Sequence, residues 1–150
     1  MALQIGAPAK AADEQRVRES FARQGLMALL GAQMGRVAQG VVTIRLPFRP
    51  ELTQQHGYFH AGGLATVADS AGGYAGLTLF PAGSEVLTVE FKLNLLRPAR
   101  GAAVEAEGRV IKAGRRLTVC QLEVHALDDD RRVHVATGQQ TLIRVDEGPA

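Results

Sequence analysis

The chain has 150 residues, a formal net charge of +2, 46% apolar and 5% aromatic residues, and one cysteine. That length forms one domain able to bury a core without staples, and a single cysteine, Cys120, excludes an intrachain disulfide framework and a cysteine-built metal site. Scattered arginines argue against nucleic-acid binding, no apolar run reaches membrane-spanning length, and the opening MALQIGAPAKAADEQ is too weakly apolar for a leader, so a soluble cytoplasmic protein is expected.

Apolar or small residues at Val17, Phe21, Leu26, Leu29, Leu30 and Met34 predict a helical segment over about 12–34. Gly25, Gly31 and Gly35 are the points where it would break or end. Val37 to Leu46 reads as a first strand, closed by Pro47 and Pro50, and residues 51–61 as a polar loop. A second helix is predicted from Gly62 to Leu79, stopped by Pro81 and Gly83. Four strand-like runs follow. Leu87 to Leu95 alternates apolar with polar residues. Val104 to Ile111 turns at Ala113-Gly114-Arg115, Leu117 to Leu127 turns at Asp128-Asp129-Asp130, and Val133 to Val145 is the last. Cys120 sits in an alternating run and reads as a core thiol. The order predicts a single α+β domain over 1–150, its core at about 37–145, with an antiparallel meander packed on the second helix. Gly72, Gly73 and Gly76 are costly inside a helix unless other backbone approaches closely.

The run Gln54 to Gly73, QQHGYFHAGGLATVADSAGG, carries the chemistry. At about 100° per residue, Gly62, Ala65, Gly72, Gly73 and Gly76 project within about 60° of Asp69. The one acid of this helix therefore faces a groove floored by small residues. It is either a buried structural carboxylate or a catalytic one. Partial desolvation would raise its pKa unless donors surround it, which suits a general base or nucleophile. At the helix start, His60-Ala61-Gly62-Gly63 presents backbone N–H groups that can bind an anion or polarise a carbonyl. A donor for a carbonyl oxygen and an acid two turns along resemble the two halves of acyl-transfer chemistry. His56, His60 and Asp69 lack metal-ligand spacing, since Gly57 and a turn intervene and there is no HExxH, so no metal is expected. Ser70 points about 100° from Asp69 and no GxSxG elbow exists. No cofactor-binding glycine pattern is present.

With Gln54 through Asp69, followed by LTVEFKLNLLRPA at Leu87 to Ala99, the chain resembles the hot-dog-fold acyl-CoA thioesterases of the phenylacetic-acid-degradation type. The resemblance covers about 37–145. It implies a long central helix wrapped by a curved antiparallel sheet, here with an extra N-terminal helix. It also implies hydrolysis of an acyl-CoA thioester to the free acid and coenzyme A. The family's histidine and two glycines match His60, Ala61 and Gly62, so the Ala61 N–H is implied as the carbonyl donor. Asp69 is implied as nucleophile or general base, Gln54 as the polar residue that orients the loop or the water, and Thr88 as the hydroxyl that holds water or the carboxylate. Each site is implied to be shared, with the amide from one subunit and the acid from its neighbour. A homodimer with a sheet continuous across the interface, paired into a dimer of dimers, follows. Arg97, Arg100, Lys112, Arg115 and Arg116 are candidates for the coenzyme phosphates, and Phe21, Leu26, Leu30, Tyr58 and Phe59 for the acyl pocket. Two other readings stand beside this one. A hot-dog hydratase or dehydratase would place a catalytic histidine beside an acid, which His60 lacks. A non-catalytic acyl-CoA-binding protein would bind without turnover.

Overall fold

In the computed structural model, which describes residues 3–146, the N-terminal helical stretch is two helices. α1 (Ala11–Ala22) stops at Arg23 and Gln24, and α2 (Gly25–Leu30) is ended by Gly31 in the left-handed conformation, φ 73°. The expected single strand over Val37 to Leu46 is a hairpin. β1 (Gln33–Ala38) and β2 (Val41–Pro47) are turned at Gln39 and Gly40, the glycine at φ 65°. Residues Gln33 to Arg36 form the first half of the sheet-edge strand β1, with Met34 packed against the core, so the helix expected up to residue 34 ends short of it.

α3 (Ala61–Leu77) is the predicted second helix, and it is followed by β3 (Ser84–Leu95), β4 (Ala103–Ala113), β5 (Leu117–Asp128) and β6 (Arg131–Asp146). All six strands form one sheet in the order β1-β2-β4-β5-β6-β3, antiparallel throughout. A simple meander is therefore not the topology. β3 lies at the far edge beside β6, with Leu87 opposite Ile143 and Leu95 opposite Ala136, while β4 pairs with β2. The connection at 96–102, punctuated by Pro98 and Gly101, brings the chain back past the start of α3, where the Phe59 N–H donates to the Ala99 carbonyl at 3.1 Å.

α3 packs against every strand from β2 to β6. Val67, Ala71 and Leu77 of the helix are fully or almost fully buried, as are Ile44, Val104, Leu122 and Leu142 of the sheet, and burial of this apolar surface is the main stabilising term. A side chain on Gly108 of β4 would collide with the backbone of Ala71 and Gly72, so sheet and helix meet there backbone to backbone. That contact is the close backbone approach expected at Gly72, whereas Gly76 faces the Leu142 side chain and a Cβ at Gly73 would meet nothing within 4 Å. A long helix wrapped by one antiparallel sheet, with extra helices at the N-terminus, is the arrangement implied by the resemblance. Among the described residues no helix is long and apolar enough to cross a membrane.

β3 is an edge strand of 12 residues. Leu87 (59%), Val89 (56%), Phe91 (43%) and Leu95 (55%) remain exposed along it. The ladder to β6 shifts register between Thr88 and Glu90, a bulge beside the candidate site.

Candidate active site

Asp69 sits in the middle of α3, half-buried, facing β3. Its Oδ1 accepts the Thr88 hydroxyl at 2.7 Å and the Gln140 side-chain amide at 2.7 Å. The same Gln140 nitrogen donates to the Asp69 backbone carbonyl at 3.0 Å and to the Thr88 Oγ1 at 3.0 Å. Helix, edge strand and β6 thus converge on one carboxylate. Among the described residues Oδ2 has no hydrogen-bond partner. Open space of about 190 Å³ lies beside Asp69, walled by Ser20 of α1, Gln24 at the start of α2, Tyr74 of α3 and Glu85 of β3.

Gln140 was not among the residues singled out from the sequence. Its neighbours in phase on β6, Ala136 and Leu142, are fully buried, and a glutamine in phase with them is the signal that could have found it. The register irregularity between β5 and β6 hides that phase. Ala136 pairs with Val124 and His134 with His125, so Val135 is an extra residue, and alternation counted from Val133 puts Gln140 on the wrong face.

The helix start is organised by His60. As N-cap residue its Nδ1 accepts the Gly62 N–H at 2.8 Å, which places the ring proton on Nε2 when the ring is neutral. The Gly63 N–H donates to the His60 carbonyl at 2.9 Å. The Ala61 N–H is left without an acceptor among the described residues, on an exposed residue. It opens on a cleft of about 390 Å³ whose walls include Gln54, Tyr58, Leu95 and Arg97. Gln54 shapes the loop before the helix, its Oε1 accepting the N–H groups of His56 at 2.6 Å and Tyr58 at 3.2 Å.

Asp69 lies eight residues beyond Ala61, about 12 Å along the helix axis at the usual rise. The free amide and the held carboxylate of one chain are therefore well separated along the helix.

The basic candidates fall into two groups. Arg97 and Arg100 lie near Ala61, the Arg100 guanidinium resting 4.3 Å from the centre of the Tyr58 ring and donating to its hydroxyl at 2.5 Å. Lys112, Arg115 and Arg116 gather at the β4–β5 hairpin. That hairpin is at the other end of β3, since Leu117 pairs with Ile143 and Ile143 with Leu87.

The acyl-pocket candidates also divide. Tyr58 and Phe59 line the Ala61 cleft, Phe21 packs edge-on against Tyr74 with ring centres 6.1 Å apart, Leu30 packs on the core, and Leu26 is 52% exposed. The space beside Asp69 combines the polar groups of Ser20, Gln24 and Glu85 with the apolar side chains of Leu77 and Val86. Gln24 donates to the Tyr74 hydroxyl at 2.8 Å, and Ser20 lies 3.2 Å from the same hydroxyl.

Among the described residues no three of His, Cys, Asp and Glu gather as a metal site. Cys120 is fully buried against α3, and burial pushes its thiol up to about 12, so it is an inert core group at neutral pH.

Comparison with known proteins places the fold in a family. A sequence model of the thioesterase superfamily matches residues 56–133, more than half of the chain, a span that includes Ala61, Asp69 and Thr88. A thioesterase family protein from Silicibacter pomeroyi is 44% identical, with 89% of this chain and 98% of that one covered and a TM-score of 0.87. A conserved protein from Pseudomonas aeruginosa is 30% identical over 81% of this chain and 94% of its own, TM-score 0.74. The PaaI protein of the E. coli phenylacetic acid degradation operon shares the fold at 18% identity, covering 89% of this chain and 93% of its own, TM-score 0.79. With its long central helix and wrapped antiparallel sheet, and a family model matching more than half of its length, this chain belongs to the thioesterase superfamily, hot-dog-fold hydrolases of acyl thioesters.

Proposed function

We propose that the protein hydrolyses acyl-CoA thioesters as a homodimer with two shared sites, paired into a dimer of dimers. The observation that carries this reading is the division of labour along α3. A free amide stands at its start and a hydrogen-bonded carboxylate about 12 Å away at its middle, so each needs a complement from another chain. The exposed apolar edge of β3 supplies the means. An unpaired edge of this length is a template for another strand, and antiparallel pairing of two β3 strands makes one sheet across the two chains. It also brings the Ala61 end of one chain toward the Asp69 end of the other.

In that site the thioester carbonyl oxygen accepts the Ala61 N–H, which stabilises the negative charge that develops as the carbon becomes tetrahedral. The Asp69 carboxylate attacks that carbon, or removes a proton from the water that does. Either route consumes one water and breaks the carbon–sulfur bond. The products are the carboxylic acid and the coenzyme A thiol, and the thiolate is a good leaving group that needs little acid help. The acyl group occupies the space beside Asp69. Arg97 and Arg100 lie at the Ala61 end, Lys112, Arg115 and Arg116 at the Asp69 end, so a shared site receives both sets for the coenzyme phosphates. Gln54 acts through the loop it folds. His60 serves as the cap that leaves the Ala61 amide free, and a histidine so engaged does not favour a hydratase.

The test is thiol release from short, long and aromatic acyl-CoAs by the natural chain and by Asp69→Asn, shown to be folded and of unchanged oligomeric size. Turnover by the natural chain and a loss of about a hundredfold or more in the variant are expected. Equal turnover by both would remove Asp69 from the chemistry. Binding without turnover by either would make the protein an acyl-CoA-binding protein.

A further inference from the structure

Gln140 is the most unusual polar side chain outside the groups given a role above. It is 1% exposed in an otherwise apolar layer between β6 and α3. Burying an amide is unfavourable unless its hydrogen bonds are made. The two Nε2 hydrogens are shared among Asp69 Oδ1, the Asp69 carbonyl and Thr88 Oγ1, one of them bifurcated, while Oε1 has no partner among the described residues. A methionine would fill the same volume with no unsatisfied oxygen, so core packing alone does not account for a glutamine here.

Its orientation is determined by its surroundings. Rotating the amide by 180° would set Oε1 against the carboxylate and the carbonyl of Asp69, two acceptors facing an acceptor. A side chain at Gly72 would collide with Oε1, so the helix glycine makes the room this orientation needs. The geometry also couples the two donors. Thr88 uses its one hydroxyl hydrogen on Oδ1 and accepts from Gln140, so the amide aligns the threonine as well as the acid. Because Thr88 lies on an exposed edge strand next to a bulge, Gln140 is the only one of the two donors anchored in the core.

We infer that Gln140 is a positioning residue that, together with Thr88, holds Oδ1 of Asp69 and so leaves Oδ2 as the oxygen that reacts; this rests on the thioesterase reading of Asp69. An aspartate has two side-chain torsions to fix. One fixed oxygen and a tethered backbone carbonyl on the same residue restrict both before substrate arrives, and such pre-orientation acts on the chemical step rather than on substrate affinity.

The experiment uses Gln140→Met, which keeps the length and removes the donor, and Gln140→Asn, which keeps the amide but shortens its reach. Each is made in the natural chain and in Asp69→Asn, with melting temperature and oligomeric size recorded. The expected result in the natural chain is a kcat lower by about 10- to 100-fold with KM changed by less than about threefold. In the Asp69→Asn background neither change should lower the residual rate further, since the group it acts through is gone. A kcat within about twofold of the natural chain, or an equal proportional loss in both backgrounds, would overturn the proposal. Crystal structures of the natural chain and of Gln140→Met give a reading that needs no activity. The carboxylate should leave Thr88 in the variant, and an unmoved carboxylate would overturn the positioning role. Should the natural chain turn over no acyl-CoA, the thioesterase reading fails by that result and the crystallographic comparison still decides what Gln140 does to Asp69.

Discussion

The carboxylate of Asp69 is held from two elements at once, Oδ1 accepting the Thr88 hydroxyl of β3 and the Gln140 amide of β6. Gln140 faces inward because the extra residue Val135 inverts the alternation of β6 between His134 and Ala136. The same irregularity places His125 against His134 on the opposite face of the sheet, rings stacked with centres 4.8 Å apart. Burial, then the nearby Arg132 charge and His134, hold the His125 pKa below the ordinary 6.5, outweighing the opposing pull of Glu123 and Glu105. The unfolded chain, with its higher histidine pKa, therefore takes up the proton first as pH falls. The contribution of this group to stability is present above about pH 6.5 and is lost as pH drops toward the depressed folded value. His125→Gln should flatten the fall in melting temperature between about pH 7 and 5 relative to the natural chain, and thermal unfolding across that range measures it.

Among the elements, α3 and β3 define the site, and β3 bears the sharper prediction. Its alternating apolar and polar residues marked it as a strand, but periodicity says nothing about which strand lies beside it. The long return connection past the start of α3 moves β3 to the sheet edge, and edge placement turns its apolar residues into an exposed surface. Placing a charge on such an edge opposes strand pairing. Phe91→Lys is expected to give a folded monomer by sedimentation velocity, with thioester hydrolysis lost along with the dimer. A monomer that retains full turnover would show that one chain completes the site. At the N-terminus, Gly31 ends α2 and Gly25 begins it, and the groups this segment presents beside Asp69 are Ser20 of α1 and Gln24, the cap of α2. An apolar stripe predicts what packs on a core, and Phe21 and Leu30 do so. It does not reveal which polar residues border a pocket.

At the level of the whole molecule, a shared site makes a prediction that no single-chain site can satisfy. Proline at position 61 would remove the free N–H at the first helical position, where proline is tolerated, and His60 already has the extended conformation (φ −66°, ψ 138°) that precedes a proline. Ala61→Pro and Asp69→Asn should each be nearly inactive alone. Mixed after dissociation and reassociation, half of the dimers would be hybrids with one intact site of two, restoring about a quarter of the natural activity. No recovery in verified hybrids would show that amide and acid act from the same chain. The helices, the four C-terminal strands and the acid of the central helix were legible along the chain, because periodicity, capping and breaker residues are local properties. Strand order, the β1–β2 hairpin and the Gln140 contact were decided only by the tertiary structure. Each depends on which backbone comes to lie beside which, and neither alternation nor composition encodes that neighbour.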